Sequence, residues 1–270
     1  MARAKSLPLK GEWAVVTGAS GGIGLEFCRV LASMGCNLVM VAIEHDLLEG
    51  VSLELARKHK VEVRPLTIDL TREDAPAVVA GFVEAKGIVP YILINNAGIF
   101  SFKAMTDHTQ RHLNRYIDLH MRSTTLLCHL FARRMKYKGR GRILNMSSMS
   151  CWMPMPGIAM YSATKAYLRV LSRALHYEVR DYGVTVTVAC PGGIATDLFG
   201  LPDNLKRLGV RLGVLQTPER FAAKAVRQML RGRRQYINGW LNRLSIVAVG
   251  ASPTWVRMMV KRKLLDKIGK

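Results

Sequence analysis

Tyr161 and Lys165 lie four residues apart in Y-S-A-T-K, residues 161 to 165. On a helix that spacing puts both side chains on one face, so a phenol and an ammonium can enter one cleft together. A free tyrosine titrates near ~10, too high for ready proton exchange at neutral pH. A neighbouring ammonium stabilises the phenolate and lowers that value. The pair therefore predicts Tyr161 as general acid in ketone reduction and general base in alcohol oxidation. A hydroxyl donor for the substrate oxygen, where negative charge develops, would complete the set. Ser147, Ser148 and Ser150 all precede the tyrosine and can supply it. Taken alone, Y-x-x-x-K is also the ordinary spacing of a solvated helix face.

Such a set needs a rigid frame. From Trp13 onward, short apolar runs alternate with longer amphipathic segments: W-A-V-V-T-G, N-L-V-M-V-A, V-R-P-L-T-I-D, Y-I-L-I-N-N, R-I-L-N-M-S-S, V-T-V-T-V-A-C-P-G and Q-Y-I-N-G. Continuous apolar strands alternating with helices predict an α/β fold, a doubly wound parallel sheet with helices on both faces. Ligands bind such sheets at the carboxyl ends of the strands. T-G-A-S-G-G-I-G, residues 17 to 24, follows the first strand and opens the first helix. Its glycines, Gly18, Gly22 and Gly24, permit a tight turn that lets backbone N–H groups approach a pyrophosphate. The spacing is G-x-x-x-G-x-G, not the common G-x-G-x-x-G.

In order along the chain, T-G-A-S-G-G-I-G, N-N-A-G at 95 to 98, Ser148 thirteen residues before Tyr161, Y-S-A-T-K, and P-G-G-I-A-T at 191 to 196 resemble the short-chain dehydrogenase/reductase family. The resemblance covers about residues 11 to 240 and singles out Ser148 among the three serines. It implies a single Rossmann-type domain and hydride transfer between a nicotinamide cofactor and a carbonyl or alcohol. It also implies that Lys165 binds the nicotinamide ribose and that Ser148 holds the substrate oxygen. By the same resemblance the cofactor contacts are Gly18, Ser20, Gly22, Ile23, Gly24, Asp69, Leu70, Asn95, Ala97, Gly98, Tyr161, Lys165, Pro191, Gly192, Ile194 and Thr196. One position departs from the family pattern. Where members carry an asparagine that helps relay protons beyond the lysine, Y-I-D-L-H-M-R-S-T places His120, unless Asn114 reaches the spot instead.

The end of the second strand usually separates NAD from NADP, an acid binding ribose hydroxyls and a base the 2′-phosphate. V-M-V-A-I-E-H-D offers Ala42 and Ile43 at those positions. Glu44 would repel a phosphate if it turned inward, whereas Ser20, His45 and the overall charge favour one; the balance leans to NADP over NAD. His108 and His112 share the i, i+4 spacing, but there is no H-E-x-x-H and we assign no metal.

Lysine and arginine number 40 against 19 acids, a formal net charge of +21. Such a surface attracts anions: nucleotide phosphates, acidic lipids or nucleic acid. No helix-turn-helix or aromatic-interleaved basic motif is present, so nucleic acid is not an expected partner. Five cysteines without a C-x-x-C pair suit free thiols in a reducing compartment, and no secretory signal opens the chain, so a cytoplasmic protein is expected.

Residues 1 to 240 read as one dinucleotide-binding and catalytic domain, and 241 to 270 as a basic amphipathic extension. The uncharged run 244 to 256 is too short to span a membrane, but Trp240 and Trp255 with the basic residues around them suit peripheral contact with an anionic surface. The tail also resembles that of a lipid-oriented subgroup of the family. Residues 197 to 216 read as a lid whose Leu198, Phe199, Leu201, Leu205, Leu208, Val210, Leu212 and Leu215 form an apolar roof. Met149, Trp152, Met153 and Met155 offer a second wall. Together they point to a hydrophobic, fatty-acyl or lipid-like carbonyl or alcohol. The family resemblance further implies a homo-oligomer built on the two long central helices. A rival reading keeps the fold but makes the chain a catalytically idle nucleotide-binding interaction protein.

Overall fold

The structure is a computed structural model and describes residues 9–196, 202–211 and 215–265. Among the described residues the centre is a sheet of seven strands in the order β3-β2-β1-β4-β5-β6-β7, every pairing parallel. The strands are β1 (Trp13–Thr17), β2 (Asn37–Ala42), β3 (Val63–Thr67), β4 (Pro90–Asn95), β5 (Gly141–Met146), β6 (Val184–Ala189) and β7 (Gln235–Tyr236). Each falls on a run expected from the sequence. The doubly wound α/β reading is the fold observed.

Both faces of the sheet are covered, and this is why its strands lack alternation. Ala14, Val16, Leu38, Met40, Ile92 and Ile94 pack with Phe27 of α1 (Gly22–Ser33) and Phe221 of α8 (Pro218–Leu230). The intervening Val15, Val39, Val41 and Leu93 pack on the other side with Val79 of α3 (Ala75–Ala85) and Phe131 of α5 (Thr124–Tyr137). Successive strand residues point to opposite faces, so burial on both demands an apolar residue at nearly every position. Pro65, which cannot donate to a ladder, is tolerated because β3 is the edge strand.

β1 has β2 on one side and β4 on the other. The chain builds outward from β1 to β3 on one side and from β4 to β7 on the other, and this reversal opens a crevice above the carboxyl ends of β1 and β4. α2 (His45–His59) follows β2 at the rim of that crevice, and the 21-residue α6 (Ala159–Val179) lies between β5 and β6 in the chain. α4 (Gln110–Tyr116) continues through a π-helical segment, Ile117–Ser123, into α5 without leaving helical backbone. A π turn in a helix often marks a functional position, and here it carries His120.

Part of the expected lid is helical: residues 203 to 211 form α7 (Asp203–Arg211). The glycine and proline content of the stretch concealed this short helix. Leu205 and Leu208 are each 49% exposed, so they do not form a closed roof. Leu198, Phe199, Leu201 and Leu212 lie outside the described residues. The uncharged run 244 to 256 is divided between α9 (Trp240–Gly250) and α10 (Thr254–Val260), with Pro253 between them. Among the described residues no helix is long and apolar enough to cross a membrane.

Candidate active site

A cavity of about 390 Å³ lies over the crevice, with the glycine loop on one wall and Ser148, Tyr161 and Lys165 on the other. Pro191, Gly192, Ile194 and Thr196 close its side. An adjoining cavity of about 330 Å³ shares Gly18, Ser20, Glu44, Ala97 and Gly98 with it and continues to Asp69 and Leu70. The joined space runs from the carboxyl end of β3 to the tyrosine.

The glycine loop is shaped by close approach. Gly18 has φ +64°, and a Cβ there would come within 2.9 Å of Ala97 Cα. A Cβ on Gly24 would sit 1.9 Å from the Gly18 carbonyl oxygen, so Gly24 allows α1 to pack on its own loop and is not itself a cavity wall. Thr17 Oγ1 accepts hydrogen bonds from the backbone N–H groups of Asn96 (2.9 Å) and Ala97 (3.1 Å). Asn96 Nδ2 donates to the carbonyls of Thr17 (3.0 Å) and Gly18 (3.2 Å). These bonds stitch β1 to β4 and leave the N-terminus of α1, with its partial positive charge, aimed at the cavity. An open glycine backbone, a helix N-terminus and two joined cavities fit a dinucleotide.

Asn95 requires a correction. It is buried beneath the site, its Nδ2 donating to Asn145 Oδ1 at 2.8 Å, and it lines neither cavity. Strand alternation turns the first asparagine of N-N-A-G into the sheet, so Asn96, which the sequence reading left out, is the one in the cavity. The other expected cofactor residues, apart from Gly24, line one cavity or both.

Among the serines, Ser147 donates its hydroxyl to the Lys165 carbonyl (2.7 Å) and Ser150 is not in the cavity wall. Ser148 lines the cavity, accepts from the Ser150 N–H (3.2 Å), and shares a side-chain hydrogen bond with Tyr161. Tyr161 and Lys165 are both buried on the inner face of α6. Burial pushes the Tyr161 hydroxyl up to about 12, with the Ser148 hydrogen bond working against it. Burial likewise pushes Lys165 down to about 8. The shift of the tyrosine is opposite to the one expected from the Y-x-x-x-K spacing. The reason is that Lys165 Nζ donates to the Met146 carbonyl at 3.0 Å and lies 5.6 Å from the phenol ring centre, so loss of water dominates. The phenol is thus held protonated at neutral pH, the form a proton donor needs.

His120 is fully buried, and Asn114 is exposed on α4, so the histidine and not Asn114 occupies the position beside the lysine. A Cβ added to Gly98 would lie 3.0 Å from His120 Nε2 and 3.5 Å from Lys165 Nζ. His120 Nε2 accepts the Ile99 N–H at 3.0 Å, which leaves the proton on Nδ1, 2.9 Å from Thr164 Oγ1. Burial, and then the Lys165 charge, hold its pKa well below the usual imidazole value. With both nitrogens engaged and the ring neutral, His120 fixes the chain after β4 against α6, and a proton relay through an imidazolium is not what this geometry provides. His108 and His112 stack with ring centres 4.7 Å apart, and both reach Ser101 Oγ, at 3.4 and 3.3 Å.

Glu44 turns inward. Its carboxylate accepts a hydrogen bond from Ser20 Oγ at 2.8 Å and lines both cavities. His45 instead turns to Thr67, with Nδ1 to Oγ1 at 3.1 Å. Arg115, which no motif marks, lines the far cavity from α4. A carboxylate and a guanidinium therefore face the end where the two cofactors differ.

The short chain dehydrogenase family model matches residues 12–203. The chain belongs to that family. It is similar to the very-long-chain 3-oxoacyl-CoA reductase of Bos taurus, 32% identical over 257 residues that cover 92% of this chain and 78% of the relative. It is also similar to the inactive hydroxysteroid dehydrogenase-like protein 1 of Homo sapiens, 28% identical over 94% of this chain and 76% of that one. Among solved structures, a short-chain dehydrogenase from Sphingobium yanoikuyae in complex with NADPH superposes with a TM-score of 0.77 at 27% identity, covering 94% of this chain and 96% of the other. This member of the family is an NAD(P)-dependent oxidoreductase.

Proposed function

We propose that this short-chain dehydrogenase reduces the carbonyl of a hydrophobic, fatty-acyl or lipid-like substrate, or oxidises the matching alcohol, with Tyr161 as the proton donor and acceptor. The observation that carries this reading is the convergence of Ser148, Tyr161 and Lys165, all buried, on the cavity that also holds the glycine loop. A bound nicotinamide supplies the hydride. Ser148 hydrogen-bonds the substrate oxygen as charge grows on it, and Tyr161 passes its proton to that oxygen, which as an alkoxide is a far stronger base than a phenolate. Lys165, kept near Tyr161, stabilises the phenolate left behind and holds the nicotinamide ribose.

Apolar neighbours on the substrate side support the lipid-like choice. Phe100 packs edge-on against Tyr161 with ring centres 5.0 Å apart, and Met153 is buried in the segment before it. The name of the bovine relative points the same way. The test is kcat/KM for 3-oxoacyl thioesters of increasing chain length, with small polar ketones as controls. Each methylene buried from water should raise kcat/KM about fourfold. A profile flat in chain length would refute the substrate class. Tyr161→Phe should abolish turnover while still binding reduced nicotinamide; turnover by that variant would refute the assigned role. The idle-interaction reading has no support from the catalytic residues, which are intact.

NADPH in the Sphingobium relative supports NADP as the cofactor, and the inward Glu44 supports NAD. The tail supports peripheral contact with an anionic membrane. Trp240 (71%), Val247 (67%) and Trp255 (67%) are exposed beside Arg243, Arg257, Arg262 and Lys263. Reversing Arg262 and Lys263 to glutamate should release the protein from sedimenting anionic vesicles. Free, mostly buried thiols support a cytoplasmic setting, and exposed Leu126 on α5 with Val170 and Tyr177 on α6 supports packing of a second copy.

A further inference from the structure

The extension after residue 240 begins with α9, whose Asn242 packs against Gly192, a residue in the wall of the cofactor cavity. Asn242 occupies the space where a side chain on residue 192 would go: a Cβ on Gly192 would meet its amide group at 2.4 Å. Gly192 has no positive φ. Its lack of a side chain is therefore a matter of room, and the room is filled by the tail.

Two amides continue from that contact. Asn242 Nδ2 donates to the Asn238 carbonyl at 2.6 Å. Asn238, 3% exposed, accepts the Gly192 N–H on Oδ1 at 2.7 Å and donates from Nδ2 to Gln216 Oε1 at 2.8 Å. Gln216 is in turn bonded to the same stretch through its backbone. Its N–H donates to the Gly193 carbonyl and its carbonyl accepts the Ala195 N–H, both at 3.0 Å. Residues 192 to 195 are thus held from one side by 238 and 242 and from the other by 216, where the chain returns from α7.

The stretch so held belongs to one end of the site. Pro191, Gly192, Ile194 and Thr196 line the cavity of Ser148, Tyr161 and Lys165, and none of them lines the adjoining cavity of Asp69 and Leu70. On the reading of these cavities as the cofactor site, the first takes the nicotinamide end and the second the adenosine end. We infer that Asn238 and Asn242 are positioning residues that fix the Gly192–Ala195 backbone against the nicotinamide end, so that the start of the C-terminal extension is part of the catalytic unit. The partly buried Gly192 N–H is paired with one acceptor, and removing that acceptor leaves it unpaired, which drives the stretch to move. Movement there misplaces the nicotinamide and spares the adenosine.

The experiment uses the full chain and its variants Asn238→Leu, Asn242→Ala, Gly192→Ala and the pair Gly192→Ala with Asn242→Ala. Each is titrated with NADH, NADPH and 5′-AMP, a probe of the adenosine end alone, and assayed for turnover. Asn238→Leu and Asn242→Ala should weaken the preferred reduced nicotinamide about tenfold and lower kcat, with 5′-AMP affinity unchanged. Gly192→Ala should do the same, and the pair should lose less than the sum of its parts, because the colliding groups are then both altered. Equal weakening of NADH or NADPH and of 5′-AMP would show general support of the fold and overturn the inference, as would unchanged affinity and kcat in Asn238→Leu. Should Asn238→Leu not fold, half-buried Asn242→Ala carries the same two outcomes. Failure of the unmodified chain to bind any of the three nucleotides would instead refute the cofactor reading itself, and the positioning role with it.

Discussion

Replacing Lys165 by methionine tests the electrostatics of the site without any substrate. The ammonium is buried, makes one hydrogen bond, to the Met146 carbonyl, and is pushed from 10.5 down to about 8 by loss of water. The unfolded chain therefore binds this proton up to about pH 10.5, and the folded chain only up to about pH 8. Between those values the unfolded state holds more protons, so folding stability must rise with pH. Integrated from pH 7 to pH 10, the gain is about 2 to 3 kcal/mol. Methionine has no such dependence, while the altered packing and the unpaired Met146 carbonyl weigh equally at every pH. Urea unfolding of both proteins without cofactor should therefore give a stability difference, wild type minus Lys165→Met, that climbs by about 2 to 3 kcal/mol over this range. Tyr161, pushed up to about 12, titrates above the range in the folded state and is common to both chains, so it drops out of the difference. A difference constant with pH would mean that the ammonium reaches water, and the reasoning about a desolvated catalytic pair would fail.

Three further substitutions probe other parts of the site. Glu44→Gln should tighten NADPH relative to NADH at least tenfold, because a carboxylate beside Ser20 repels a 2′-phosphate; an unchanged ratio in nicotinamide fluorescence titrations would place Glu44 outside that contact. His120→Ala should lose about 1 to 3 kcal/mol by unpairing the Ile99 N–H. Because burial holds the folded pKa of His120 low, the wild type should also lose stability as pH falls below about 6.5, by up to about 1.4 kcal/mol per unit, and the alanine variant should lack that component. Gly24→Ala places a Cβ 1.9 Å from the Gly18 carbonyl oxygen and should abolish nucleotide binding; a variant that binds NADH normally would show that α1 can shift away at no cost.

The sequence by itself determined the sheet, its strand runs and the family, because double burial makes strands continuously apolar and because five motifs stand in a fixed order. It also singled out Ser148, Tyr161 and Lys165 by their spacing along the chain, and the fold brings these three together on one cavity. What those side chains experience is another matter. Whether a lysine four residues from a tyrosine charges it or is buried with it depends on the walls around both, and those come from β5, β6 and the turn after β4. The inward side of N-N-A-G fell to Asn96 by the pleat of β4, and the inward turn of Glu44 by the start of α2. His120 became a fixed strut because Ile99 and Thr164, 21 and 44 residues away, took both its nitrogens. Asn238, Asn242 and Arg115 belong to no motif and became visible once the fold set the first two against Gly192 and the third in the wall of the far cavity. Local pattern sets which elements form; desolvation and hydrogen-bond partnership are properties of the surroundings, and only the folded chain assembles them.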